Sequence, residues 1–555
     1  MLHLNILIMT NKTNEEIENI NKQLKQIEDN DKFLSKLTKK QIFKLFDECN
    51  YNKIKYIISN KNGFDINMII NGKTLLFNAC DKNNQVVIQL LLSNSATDVN
   101  KALTDCYGIT PLFMACQNGN EEVVRLLLAH AAIKVNQATT DDGTTPLYMA
   151  CHEGHEGVVQ LLLAHAETKV NQVSTDDYGA TPLYIACQQG YEGVVRLLLA
   201  HSATKVNQSR TDDGTTPLFI ACQEGHDKVV RLLLSQTSIK VNQSQTTTGC
   251  TPLFQACLKN HKRVVRLLLD KDATDVNKAT EDGTTPLLMA CGYGHEGVVR
   301  LLLAHAETKV NQATTNINGF TPLFIACAKG YEEVVRLLLD KDATDVNKAT
   351  TDNGVTPLSI ACQKDHEGVV LLLLAHAATK VNKARTDNGA TPLFIVCSYG
   401  QEKVVRLLLD KDATDVNKAT TDNGVTPLIM ACSLGQEGVV RLLLTHPATN
   451  VNQTDNSGKT PMDVACQNDE TKIVELLLAD SRTRRINLSV RDYYEVYYQS
   501  LRNVISKRKA KFRGLIRAAI VFRRLRLRAA LTVYAPGGAG FHAASASFAV
   551  VAIDR

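Results

Sequence analysis

The apolar positions of this chain fall into a block that returns about every 35 residues. Thr-Pro pairs begin at Thr110, Thr145, Thr181, Thr216, Thr251, Thr285, Thr321, Thr356, Thr391, Thr426 and Thr460, and successive starts stand 34–36 residues apart. A copy without the proline starts at Thr74. Within one block the spacing predicts two helices of different character. Leu147, Ala150 and Cys151 share one face of a short first helix, and Gly154 ends it. Val158, Val159, Leu161, Leu162 and Leu163 then supply the apolar stripe of a second, and the Val170-Asn171 step closes the block. Asp142-Gly143 marks a tight turn before it, Thr145 is placed to cap the first helix, and Pro146 suits its first position, where no amide bond is lost. A fixed period of this length implies units that bury their apolar faces only against their neighbours.

The pattern G-x-T-P-L-x-x-A-C-x-x-G-x-x-x-V-V-x-L-L-L…V-N resembles the ankyrin repeat. Twelve clear units run from about Thr74 to Asp480, and a degenerate thirteenth is expected around Ile42 to Asn67. The resemblance implies an all-α solenoid of helix-turn-helix units with hairpin-like tips, a curved rod with partners gripped on the concave side by the turns and first helices. With units about 8–10 Å apart, twelve make a rod on the order of 100 Å. Two positions depart from the family pattern. The histidine expected after Thr-Pro-Leu is replaced by Phe113, Tyr148, Tyr184, Phe219, Phe254, Phe324 and Phe394, which implies aromatic packing instead of a hydrogen bond. The second alanine is cysteine in all twelve units, from Cys80 to Cys466.

Charge divides the chain. Residues 482–555 hold sixteen Arg and Lys against three Asp and Glu, so of the total +5 the first 481 residues carry −8. Four segments are expected: an amphipathic helix over 1–37 capping the first repeat, with too few heptads for a convincing coiled coil; the repeats, 38–480; a basic helical segment, 481–534; and a disordered Gly/Ala/Ser-rich tail, 535–555. Asparagine and lysine vanish after Asn503 and Lys511 and arginine replaces them, so the end of the chain from Arg513 is read as a later addition or a mispredicted extension. Twelve cysteines in one column, about one repeat apart, are too far from each other for disulfides and read as buried hydrophobes. That usage, the lack of a convincing secretory leader and the lack of a long apolar span point to an intracellular chain, cytoplasmic or nuclear, neither secreted nor transmembrane.

No catalytic constellation emerges. His152-Glu153-Gly154-His155 has one residue where a zinc-binding helix needs two between Glu and the second His. The histidines instead form two columns, one before the second helix and one at its end, the latter read as facing free carbonyls. Glu121/Arg125, Glu192/Arg196, Glu296/Arg300, Glu332/Arg336, Glu402/Arg406 and Glu437/Arg441 are spaced as i,i+4 ion pairs. No enzyme, cofactor, metal or small-molecule substrate is expected.

The expected role is a monomeric interaction scaffold. The candidate contacts are the least uniform positions along the units: Tyr293, Phe320 and Tyr399 first, with Phe113, Tyr148, Gln188, Gln223 and Lys329. Turn acids such as Asp142, Asp213 and Asp282 form an edge favouring a basic peptide. The alternative places affinity in the tail, where Lys507, Arg508, Lys509, Lys511, Arg513, Arg517, Arg523 and Arg524 could engage a calmodulin-like protein, nucleic acid or an anionic membrane.

Overall fold

The computed structural model describes residues 64–483 apart from 104–106, 177 and 317, together with residues 38, 55, 57 and 58. The expected N-terminal cap and the basic tail beyond residue 483 lie outside the described residues. A two-residue antiparallel hairpin, β1 (Ile69–Ile70) and β2 (Lys73–Thr74), precedes twenty-four described α-helices arranged as twelve pairs. The chain divides into two compact units, one of residues up to Pro392 with Asp410–Thr414, the other of Leu393–Leu409 with the residues from Asp415 onward. The same helix pair is the building block of each.

The opening pairs are α1 (Leu75–Asp81) with α2 (Gln85–Leu92), α3 (Pro111–Gln117) with α4 (Glu121–Leu128), and α5 (Pro146–Glu153) with α6 (Glu156–Ala164). Next come α7 (Pro182–Gln189) with α8 (Glu192–Ala200), α9 (Pro217–Glu224) with α10 (Asp227–Leu234), and α11 (Pro252–Leu258) with α12 (Lys262–Leu269). They continue with α13 (Pro286–Gly292) and α14 (Glu296–Ala304), α15 (Pro322–Lys329) and α16 (Glu332–Leu339), and α17 (Pro357–Gln363) and α18 (Glu367–Ala375). The last three pairs are α19 (Pro392–Tyr399) and α20 (Glu402–Leu409), α21 (Pro427–Ser433) and α22 (Glu437–Thr445), and α23 (Pro461–Gln467) and α24 (Thr471–Ala479).

Local chemistry sets the ends of each helix. Thr145 is extended, and its hydroxyl accepts from the Tyr148 amide at 3.2 Å, with Pro146 in the first turn of α5. The same cap recurs at Thr216 and Thr251. At the other end Gly154 takes φ 80°, which an L side chain reaches only with strain. Apart from α2, where the Asn84 side chain accepts the Val87 amide at 3.1 Å, second helices such as α6 and α8 start without a side-chain cap, and acids in their first turns, Glu156 and Glu192, face the positive end of the helix instead. Their last carbonyls are met by threonine hydroxyls: Thr168 donates to Leu162 at 2.6 Å and Thr274 to Leu268 at 2.6 Å.

The core is continuous along each unit because every pair contributes the same buried set. Leu147, Ala150 and Cys151 from α5 meet Val158, Val159 and Leu162 from α6, all within 3% of complete burial. The cysteines of this column are free thiols, buried from Cys80 to Cys432, and burial pushes them well above the ordinary thiol value. Cys466, in the last pair, is less enclosed and is pushed up to about 11 by burial and the neighbouring Asp463 and Asp469.

Adjacent pairs are also joined by a polar seam. The asparagine of each Val-Asn step clamps the following repeat with its amide: Asn242 donates from Nδ2 to the Ala273 carbonyl at 2.6 Å and accepts the Asp275 amide at 2.9 Å. Asn100, Asn136, Asn171, Asn207, Asn277, Asn311 and Asn347 repeat both bonds in the first compact unit, as Asn417 does in the second. The turn tips bond to each other through the backbone, Thr175 to Asp142 at 2.7 Å and Thr246 to Asp213 at 2.8 Å.

The histidine columns are part of this scaffold. His155, His226 and His261 reach back from Nε2 to the carbonyls of Gln117, Gln188 and Gln223 in the preceding repeat at 2.8–2.9 Å. The second column corrects the sequence reading. His130 and His201 do not turn to free carbonyls; their Nδ1 atoms accept the amides of Ala132 and Ala203, at 3.2 and 3.3 Å. Of the six i,i+4 pairs, Glu192–Arg196 and Glu437–Arg441 form. Arg125 and Arg336 instead take the carboxylate three residues back, and Arg300 reaches Glu333 of the next repeat, because a second glutamate lies nearer.

Candidate functional site

The turns and the first helices hold the positions that vary between repeats, and one place there gathers aromatic and charged groups. Arg210, in the turn before α9, lies 4.7 Å from the Tyr178 ring centre and 5.5 Å from that of Tyr184. Its guanidinium is fixed from two sides. Nη1 donates to the Tyr184 hydroxyl at 3.2 Å, and Nε donates to Asp212 at 3.0 Å, with Nη2 bonded to the same carboxylate. Tyr184 is buried at the start of α7, so it anchors the guanidinium from inside. Tyr178 remains 56% exposed while its ring carries the cation and its carbonyl accepts the Thr211 amide at 3.2 Å. An exposed aromatic ring thus rests against a guanidinium supplied by the next repeat.

Carboxylates surround this group. Partial burial works against ionisation of Asp142, yet hydrogen bonds from Thr139 and Thr144 outweigh it and hold the carboxyl below its ordinary value. Asp213 is lowered in the same way, its burial outweighed by Thr215, Gln245 and Arg210. Tyr148, half-buried, is pushed up to about 12 by burial and by the charges of Asp176 and Asp142. The turn acids therefore have two functions: they tie the turns together and keep the local field negative.

The structure distributes the sequence candidates widely. Phe320 lies in the turn before α15, half-buried and stacked on Phe324 with ring centres 5.0 Å apart. Tyr293 caps the far end of α13, is 57% exposed, and stacks on His295 at 5.8 Å. A seven-residue helix is about 10 Å long, so Phe320 and Tyr293 mark opposite ends of the first-helix layer and form no single patch. Tyr399, 58% exposed, belongs to the second compact unit. Phe113 is corrected: it is 3% exposed and packs in the core, as the aromatic column does at Phe219 and Phe254. Gln188 and Gln223 are half-buried, and their carbonyls are taken by His226 and His261. Lys329 is exposed at the end of α15. The basic tail residues lie outside the described residues.

Tyr178 and Arg210 escaped the sequence reading. Arginine also holds this turn position at Arg385, where it pairs with Asp387, so their signal was the combination of that arginine with a tyrosine in the turn one repeat earlier. The His-Glu-Gly-His segment is engaged elsewhere: His152 faces Glu153 at 2.9 Å, and His155 bonds the Gln117 carbonyl. No described helix is long and apolar enough to cross a membrane.

Serial helix pairs, cross-bonded turns and a varied turn-and-first-helix face define a repeat solenoid of the protein-interaction class. The ankyrin-repeat family model, which spans three copies, matches residues 45–139, 131–210, 204–280, 271–350, 343–420 and 413–492, and the chain belongs to that family. Such repeats are generally protein–protein interaction modules and are typically non-enzymatic. No curated protein matches the chain.

Proposed function

We propose that this chain is a non-enzymatic scaffold that captures a protein partner across its turns and first helices, centred on Tyr178 and Arg210. The supporting observation is the contact of an exposed tyrosine ring with a guanidinium that Tyr184 and Asp212 hold in place. A free surface side chain loses rotamer freedom on binding, whereas a ring already held by a guanidinium loses little. Tyr and Arg are also the residue types that dominate binding energetics. The carboxylates of Asp142, Asp176, Asp212 and Asp213 favour a partner segment that sets a basic side chain beside an apolar one. Tyr148, Gln188 and Gln223, in the same and the adjacent repeats, extend the contact.

The test compares proteins captured from a cell extract by the full chain and by its Tyr178→Ala and Arg210→Ala variants, with mass-spectrometric quantification. Loss of a hot-spot ring costs about 2 kcal/mol, or roughly thirtyfold in affinity. Specific proteins should fall by that order, and the melting temperature should hold in Tyr178→Ala, whose exposed ring can be removed without leaving the buried Tyr184 hydroxyl unpaired. The same set recovered at the same yield contradicts the assignment. The charge of the C-terminal segment supports a second mode, attachment to nucleic acid, anionic membrane or a calmodulin-like protein. Capture by that mode should fall steeply with salt and disappear when residues 482–555 are removed, whereas capture at Tyr178 survives both.

A further inference from the structure

The second helices provide an internal standard for their own surface charge. In α4, α6, α8, α10, α14, α16, α18, α20 and α22 the first turn carries at least one acid. In α12 it opens Lys262-Arg263 and holds no acid. The terminal helices α2 and α24 also lack one, but α2 starts with uncharged residues, and Lys472 of α24 is paired with Glu437 at 3.3 Å. Two cations at the positive end of a helix are unfavourable by about 0.3–1 kcal/mol each.

The inversion extends to one interface position. At four junctions a glycine at the second residue of a second helix leaves room for the preceding repeat's glutamate: Glu121 over Gly157, Glu156 over Gly193, Glu332 over Gly368 and Glu402 over Gly438. At Gly297 the same place is taken by Lys262, whose Nζ lies 3.5 Å from where a Cβ would stand. Arg266 continues the cationic face one turn on, Arg231 stands at the matching position of α10, and Lys259 is exposed at the end of α11. Among the described residues none of these five side chains takes part in an ion pair, whereas Lys228 and Arg300 beside them are paired with Glu192 and Glu333.

We propose that this face is a second docking surface, for an acidic segment of a protein partner, independent of the face at Tyr178. Its size and its borders select that occupant. An eight-residue helix is about 12 Å long, enough for a few acidic side chains. Along the same layer the face is bounded by the carboxylates of Glu192 and Asp227 on one side and Glu296 and Glu333 on the other. A membrane surface or a nucleic-acid duplex is wide enough to bring phosphates against those acids; a short acidic segment is not.

Lysine acetylation footprinting of the full chain, read by mass spectrometry, tests this with three probes: a polyglutamate peptide, phosphatidylserine-containing vesicles and duplex DNA. With the peptide, labelling of Lys259 and Lys262 should fall about tenfold, the equivalent of 1.4 kcal/mol. A Lys262→Glu/Arg263→Gly variant gives α12 the Glu-Gly opening of α6, α8 and α14, so it is built to keep the fold. In it the protection of Lys259 should vanish while that of Lys507, Lys509 and Lys511 persists. Protection confined to those tail lysines, protection of Lys259 unchanged in the variant, or vesicles or DNA protecting Lys262 as well as the peptide does would each overturn the proposal.

Discussion

Replacing Asn242 by Ala removes both arms of one inter-repeat clamp and nothing from the apolar core. The bonds lost are Nδ2 to the Ala273 carbonyl at 2.6 Å and the Asp275 amide to Oδ1 at 2.9 Å. A net hydrogen bond contributes about 0.5–1.5 kcal/mol, and both bonds lie near solvent, so the lower part of that range applies and the pair is worth about 1–2 kcal/mol. The loss concerns one junction, since repeats interact only with their neighbours. Native-state hydrogen exchange reads it locally. The Asp275 amide should lose protection by about 5- to 30-fold, the range that 1–2 kcal/mol produces. The Lys205 amide, clamped at 2.8 Å by Asn171, should not change. Asn242→Asp keeps the acceptor but loses the donor, so its loss should be intermediate or larger, as the carboxylate then faces the Ala273 carbonyl. Unchanged protection at Asp275, or an equal loss at Lys205, refutes the clamp as a local fastener.

Three further outcomes follow from the same geometry. Gly190→Ala forces a side chain to φ 78° and sets its Cβ 2.6 Å from the His226 ring, whereas Gly458→Ala meets a φ of 81° with nothing within 4 Å. Thermal denaturation should show Gly190→Ala losing more than Gly458→Ala, whose cost is about 1 kcal/mol, and equal shifts would exclude the steric part. In the native protein a thiol reagent should modify Cys250, in a turn and partly exposed, before the buried column from Cys80 to Cys432; early modification of Cys222 or Cys257 would show that the stack opens readily. Asp142, Asp213, Asp282 and Asp480 all have folded values below the ordinary carboxylate range, so their contribution is complete above the unfolded value of about 3.9 and is lost as pH falls through the folded values. The melting temperature should be level from neutral pH to about 5 and fall below about 4, and a decline already present at pH 6 would assign acid sensitivity to other groups.

The apolar and turn positions of the fold were legible because each acts through its own repeat. Thr145 caps α5, Pro146 begins it and Gly154 ends it, three events within ten residues that propensity alone describes. The seams were not. Asn171 reads as the last polar residue of a strip, and its partners, the Ala203 carbonyl and the Lys205 amide, lie 32 and 34 residues away. The recurrence of Asn after Val was visible, but its cause exists only when two repeats are placed together. The same distance hid the ring–cation group, since Arg210 and Tyr178 are separated by a whole repeat. Phe113 carried two readings, aromatic packing and partner contact, and burial in its own helix pair leaves only the first. Alternative partners changed which glutamate each arginine takes, because Glu333 is closer to Arg336 than the i,i+4 residue is.

A photo-activatable phenylalanine analogue at position 178 tests the assigned capture face most directly, with the same analogue at position 160, exposed on α6, as the comparison. Irradiation of the full chain in cell extract should join position 178 to a defined protein species, and position 160 should leave that species unlabelled. Labelling at 160 with none at 178 would place the partner on the outer helices and contradict the account.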